Sequence, residues 1–119
     1  MRKIAHIWEL EKMTGLPVAV VNVIREAVTI LDAEYGENRD VESGYGGYVL
    51  VLEDERELEG LQQFHIDMKS AIPEYVDVVF CDDKPPFASC LLLQGSDFGV
   101  LLVMPFSILP ETVKQYLPG

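Results

Sequence analysis

Two cysteines and two histidines are the residues of this sequence best suited to redox or metal chemistry. Cys81 and Cys90 are equally spaced about a Pro-Pro pair at 85–86, so an unbulged hairpin turning there would place the two thiols opposite each other. Such a pair could form a disulfide or supply two thiolates to a metal. His6 and His65 lack the spacing of a zinc motif. We therefore predict buried, inert thiols, with neither a metal nor another cofactor.

No set of side chains has the spacing of a catalytic centre. A Ser-His-Asp triad can be assembled from Ser43 or Ser89 with His65, but no Gly-x-Ser-x-Gly turn accompanies either serine. His65 lies on the apolar face of its predicted helix, which indicates a structural histidine rather than a general base. The carboxylate pairs Glu53-Asp54 and Asp82-Asp83 lie at predicted turns and helix starts, where acids have structural roles. We predict no catalytic residues.

Residues 10–21 have the layout of a helix-turn-helix, with Thr14-Gly15 as the turn between two helices. A recognition helix presents polar and basic side chains to DNA near its start, but here those positions hold Val18, Ala19, Val20 and Val21. DNA binding is therefore the third of three functional hypotheses. The preferred interpretation is a helical hairpin whose second helix belongs to the core.

The glycine-rich stretch at 44–47 has the composition of a phosphate-binding loop. Phosphate loops follow a strand and open a helix, whereas this stretch precedes a predicted strand. Asp40 and Glu42 lie beside it and would repel phosphate. We predict instead a loop that exposes Tyr45 and Tyr48, since tyrosine is favoured at protein interfaces.

Acidic residues dominate the charged part of the sequence. The 119 residues include 20 Asp and Glu against 9 Lys and Arg, a formal net charge of −11. This balance argues against nucleic-acid and anionic-membrane binding, because both need basic surfaces. The longest apolar stretches are also too short to cross a membrane. Acidic residues at 9 and 11 interrupt any signal-peptide core, so we expect a cytoplasmic protein with reduced cysteines.

Most of the negative charge falls in one block of the chain. Residues 32–59 hold ten acidic and two basic residues, which is eight of the eleven net negative charges. The block is either a solvated face or a surface complementary to a basic protein partner. The candidate partner-binding residues are Tyr45, Tyr48, Glu53, Asp54, Glu55, Glu57 and Glu59.

Hydrophobic periodicity predicts the elements that must hold these residues. An apolar stripe at Ile4, Ile7 and Trp8 predicts a short helix, and residues 18–35 predict a long one, with a strand at 18–23 as the alternative. Strands are predicted at 48–52, 75–81, 88–94 and 99–104, with an amphipathic helix after the first strand and a short helix at 110–117. The order α-α-β-α-β-β-β-α predicts one α+β domain over residues 1–119, with a sheet of about four mainly antiparallel strands and helices on one face.

Residues 18–35 are apolar around most of the predicted helix, which indicates a central helix or one shared with a second subunit. We therefore expect a homodimer, through this helix or through an exposed sheet edge. The leading functional hypothesis is a non-enzymatic protein-interaction module, such as an inhibitor, an immunity factor or an accessory subunit. The alternative is a small-ligand-binding protein or enzyme with a pocket between sheet and helices, to which His65, Asp82, Asp83 and Cys90 would contribute.

Overall fold

The computed structural model describes residues 1–36, 47–93 and 99–118. These ranges contain strands β1 (Arg2–Ile4), β2 (Tyr48–Val51), β3 (Tyr75–Cys81), β4 (Lys84–Leu93) and β5 (Gly99–Pro105). They also contain helices α1 (Val18–Tyr35) and α2 (Glu111–Lys114), and 3-10 helices at Ile7–Lys12, Glu55–Phe64 and Phe106–Ile108. No helix in the described ranges is both long enough and apolar enough to span a membrane.

The strands form one mixed sheet in the order β1-β2-β5-β4-β3. β3, β4 and β5 are an antiparallel meander, β2 runs parallel to β5, and β1 is antiparallel to β2. The prediction of an α+β fold is confirmed. The predicted four-stranded, mainly antiparallel sheet needs correction, because the described residues form five strands with a parallel pair in the middle. β1 was missed since a three-residue strand shows no alternation and lies beside the helical spacing of Ile7 and Trp8.

Helix α1 covers one face of the sheet. Val20, Ile24 and Val28 recur at four-residue intervals, are fully buried, and pack against β2 and β5 through residues such as Val51 and Leu101. The predicted helix is confirmed with the same bounds, so the alternative of a strand at 18–23 is wrong. Its burial is one-sided, however, because other apolar positions along α1 remain exposed.

The opposite face of the sheet is covered as well. Leu50, Leu102 and Cys90 point into a second cluster that is closed by Leu61 of the 3-10 helix Glu55–Phe64 and by Val113 of α2. The expectation of helices on one face only is therefore wrong. The central strands β2 and β5 are almost continuously apolar, which is the pattern of strands buried on both faces.

The parallel pair begins at a close approach of two glycines. Gly47 precedes β2 with a φ of +91°, and a Cβ atom built on it would overlap the carbonyl oxygen of Gly99 and lie 2.9 Å from its nitrogen. An L-residue rarely adopts that φ, and here it would also meet backbone atoms that cannot rotate away. Glycine at 47 therefore allows β2 to enter the sheet beside β5.

Candidate functional site

The two thiols do not face each other. The turn between β3 and β4 is formed by Asp82 and Asp83 rather than by the prolines, and the register shifts between Val79 and Cys81. Cys90 therefore lies opposite Val76, and Cys81 lies opposite Lys84. Both cysteines are free, and burial raises the pKa of the Cys90 thiol to about 12. Cys81 is only half-buried, so the prediction of two buried thiols is wrong for Cys81. The facing pair expected from an unbulged hairpin about the prolines is wrong because the chain turns at Asp82-Asp83, and the bulge shifts the register by one further residue.

The histidines do not assemble a reactive site. His6 precedes the 3-10 helix Ile7–Lys12 and stacks on Trp8 with ring centroids 5.7 Å apart. His65 is exposed and follows the 3-10 helix Glu55–Phe64 in the left-handed region, with φ 61°. Its predicted place on an apolar helix face is wrong, since the helix ends before it. Within the described residues, no cluster of three or more His, Cys, Asp and Glu side chains could hold a metal.

The helix-turn-helix layout is also not present at 10–21. The element before α1 is a short 3-10 helix, and the start of α1 places Val20 in the core rather than on a surface. The expected helical hairpin is therefore a strand, a 3-10 helix and α1 in succession.

The acidic block has local structural partners. Asp54 begins the 3-10 helix Glu55–Phe64 by accepting the backbone N–H of Arg56 at 2.8 Å, and the Arg56 side chain lowers the pKa of that carboxyl by hydrogen bonding to it. Glu53 forms an ion pair with Arg2 at 2.7 Å. Glu57 pairs with the α-ammonium of Met1 and accepts the Glu53 N–H at 3.3 Å.

The remaining candidates divide into exposed and buried residues. Glu55 and Glu59 are exposed and stay candidates for partner contact. Tyr48 is buried against Phe64, with the ammonium of Lys3 4.7 Å from its ring centroid, so the prediction that it is exposed is wrong. It was misassigned because its strand is covered on both faces. Tyr45 lies outside the described residues.

A groove that sequence reasoning missed lies between α1 and β3, the last strand of the sheet. Its volume is about 600 Å³, and its lining includes Ile30 of α1 together with Tyr75 and Phe80 of β3. Phe80 is 80% exposed, and Val18, which shares an adjoining cavity with it, is 75% exposed. Because Val18 lies near the end of β3 and Ile30 near its start, α1 runs antiparallel to the strand. We call the two cavities together the edge groove.

Acidic side chains line the edge groove between its apolar ends. Glu26 of α1 and Asp77 of β3 are both exposed there. The pKa of the Tyr75 hydroxyl is raised, first by its partial burial and then by the negative charges of Asp77 and Glu26. Asp82 and Lys84 lie at the Val18 end, where their charges offset. The edge groove is therefore apolar at its ends and negatively charged in its middle.

A third cavity, of about 290 Å³, adjoins the edge groove toward the end of α1. It lies between helix and sheet, as the ligand-pocket hypothesis expects, and its lining is mostly apolar, with Leu31, Leu91 and Leu93 among the residues. None of the four residues proposed for such a pocket lines it: His65 and Asp82 border other cavities, Asp83 is in the β3–β4 turn, and Cys90 is in the core.

The groove was missed because it joins two segments distant in sequence. Positions 18–30 and 75–80 come together only through the sheet order, which periodicity does not reveal. The available signal was the strand at 75–81, where apolar residues fall on both faces and include an aromatic beside the turn. No protein-family model, no curated protein and no solved structure matches this sequence.

Proposed function

We propose that the protein is a non-enzymatic interaction module whose edge groove binds a basic partner protein. The observation that carries this is the exposure of Phe80 and Val18 beside an edge strand, with Asp77 and Glu26 between the apolar ends. Burying a large apolar side chain stabilises a complex by roughly 1.5–3 kcal/mol, so these residues can anchor a partner. An inhibitor, an immunity factor or an accessory subunit would use such a surface, and we place it in the cytoplasm.

Charge supports a basic partner over a second copy of the chain. A homodimer through the edge groove, one form of the homodimer expected from the sequence, would bring two copies of Glu26 and Asp77 toward one another. Like charges in an interface cost several kcal/mol and suppress that pairing. A cationic partner turns the same charges into attraction. Exposed Glu55 and Glu59 would extend the negative field that steers it toward the protein.

The test compares two substitutions of equally exposed apolar residues. Phe80→Lys changes the groove, whereas Ile72→Lys changes a residue that is 78% exposed and does not line it. Each tagged protein is used to capture partners from a lysate of its own host, and captured proteins are quantified by mass spectrometry. Thermal unfolding of both variants checks that the fold is retained.

The proposal expects one or more basic proteins to be captured by the unchanged protein and by Ile72→Lys. Phe80→Lys should reduce their recovery by about tenfold or more. Equal recovery by all three proteins would overturn the proposal. So would light scattering that shows a dimer dissociated by Phe80→Lys and no captured protein, because the groove would then serve self-association.

A further inference from the structure

The outer side of β3 has no strand beside it in the described structure. β3 is seven residues long, ends the sheet order and, among the described strands, pairs only with β4. Alternate backbone N–H and C=O groups of an edge strand point away from the sheet and can pair with another chain. The other edge differs, because β1 has only three residues. Short edge strands resist such pairing, so β3 is the edge that can accept a partner.

We propose that an extended segment of the partner pairs with β3 as a sixth strand and places a Lys or Arg side chain over Asp77 and Glu26. This inference rests on the proposed function and names the form in which the partner is recognised. Main-chain hydrogen bonds to β3 supply affinity, and the alternate side chains that enter the groove supply specificity.

The positions in β3 define the partner's pattern. Tyr75, Asp77 and Val79 share the face that α1 covers, and Phe80 lines the same groove beyond the register shift. Side chains of paired strands that lie directly opposite have Cβ atoms roughly 4.5–5.5 Å apart. A cation opposite Asp77 therefore has apolar neighbours two positions away on either side, one toward Tyr75 and one toward Phe80. The predicted pattern is apolar-x-Lys/Arg-x-apolar.

Two other occupants fit the surface less well. A second copy of β3 could align antiparallel about Val78, but Asp77 and its copy would then be diagonal neighbours across the new pair. A charged residue on an edge strand is a known means of preventing such self-pairing. A helix laid into the groove would not pair with the outer edge of β3, whereas an extended segment can pair with it and compete with the Asp77 carboxylate for the Val78 N–H, which that carboxylate accepts at 2.9 Å. An extended partner segment with a central Lys or Arg both pairs with the backbone of β3 and compensates the negative charges of Asp77 and Glu26.

The experiment selects ligands without assuming a partner. Phage-displayed random peptides of about 10 residues, the upper length of ordinary strands, are selected on the immobilised full chain. Enriched peptides are synthesised, and their dissociation constants are measured by fluorescence anisotropy against the unchanged protein, Asp77→Lys and Asp67→Lys. Asp67 is an exposed acid outside the groove. Because both substitutions replace an aspartate by lysine, Asp67→Lys has the same net charge as Asp77→Lys.

We expect enriched peptides to alternate and to carry a central Lys or Arg. Asp77→Lys should weaken them by about tenfold or more, and Asp67→Lys by no more than about threefold. N-methylation of successive peptide amides should weaken binding at alternate positions only, because those amides donate to β3.

The failures are distinguishable. Peptides that depend on Phe80 and Asp77 but tolerate N-methylation everywhere, or that carry apolar residues at helical spacing, would refute strand pairing and leave the groove as a binding surface. Peptides whose dissociation constants do not change on substitution of Phe80 or Asp77 would refute the groove as a binding surface as well. A library that yields no binder would overturn the strand inference, while the lysate capture with Phe80→Lys decides the proposed function separately.

Discussion

Replacing Gly47 by alanine tests whether the close approach of β2 and β5 is required for the fold. Gly47→Ala introduces two costs, a positive φ of +91° and an overlap with the backbone of Gly99. Gly15→Ala is the matched control, because Gly15 has a φ of +86° and a Cβ there would meet no atom within 4 Å. The two variants share the backbone strain, and the first adds the overlap.

The magnitudes follow from these geometries. An alanine in the left-handed region costs roughly 1–2 kcal/mol, which is the expected loss for Gly15→Ala. Forcing the β2–β5 pair apart adds about 1–3 kcal/mol, so Gly47→Ala should lose about 2–5 kcal/mol in all. For a chain of 119 residues, 1 kcal/mol corresponds to about 4 °C in Tm. We therefore expect Tm to fall by about 4–8 °C in the control and by about 8–20 °C in Gly47→Ala.

Thermal unfolding followed by circular dichroism measures both values, and urea unfolding supplies the free energies. Similar urea dependence in the two variants would show that the same surface is exposed on unfolding. An equal drop in Tm for Gly47→Ala and Gly15→Ala would refute the reasoning, since it would mean that Gly47 and Gly99 are not in contact.

Two further variants test the core, and a labelling and an oxidation experiment test the thiols. Ile24→Ala should lower the free energy of unfolding by about 2–5 kcal/mol in urea, because it leaves a cavity under α1, whereas Ile30→Ala on the same helix should change it by no more than about 0.5 kcal/mol. Equal effects would contradict the burial of only one face of α1. At about pH 8, Cys81 should react with a thiol reagent while Cys90, whose pKa is raised to about 12 by burial, stays protected until unfolding. Mild oxidation should form no disulfide between Cys81 and Cys90. A folded monomer that loses the mass of two hydrogen atoms would contain that disulfide and would show that the register of β3 and β4 is different.

Local pattern was sufficient for the long elements of the fold. The helix predicted at 18–35 follows Pro17 and has the bounds of α1, and the strand predicted at 75–81 has the bounds of β3. Each of these segments is long enough for its periodicity to be clear. The short segments were not predicted correctly, because the few residues of β1 and of the 3-10 helix Ile7–Lys12 carry too little pattern to separate strand from helix.

Sheet topology was beyond local pattern. Tyr48 pairs with Val100, half the chain away, and nothing in either segment specifies a parallel partner. This pairing changed the candidate site, because β2 is buried on both faces of the sheet and Tyr48 is therefore not at the surface. The edge position of β3 likewise exposed Phe80, which local pattern placed in an ordinary strand.

The acidic block illustrates the same limit for charges. The excess of acidic residues was visible in the sequence, but the hydrogen bonds and ion pairs that these residues form were not. Asp54 and Glu57 hold local structure, while the acids that line the edge groove, Glu26 and Asp77, lie outside the block altogether. Charge counts along the chain therefore did not locate the two acids that line the edge groove.

The parallel pair at the centre of the sheet also determines when the chain can fold during synthesis. Val20, Ile24 and Val28 share a buried cluster with residues of β2, β3 and β5, so the apolar stripe of α1 is not fully covered until β5 has been made. About 70 residues separate the end of α1 from the end of β5, and at roughly 5–20 residues per second the stripe waits roughly 4–14 s on the ribosome. During that interval part of the apolar stripe of α1 lacks its partners on β5. A truncation that removes β5 is therefore expected to leave part of this apolar stripe exposed, and exposed apolar surface of that kind favours aggregation.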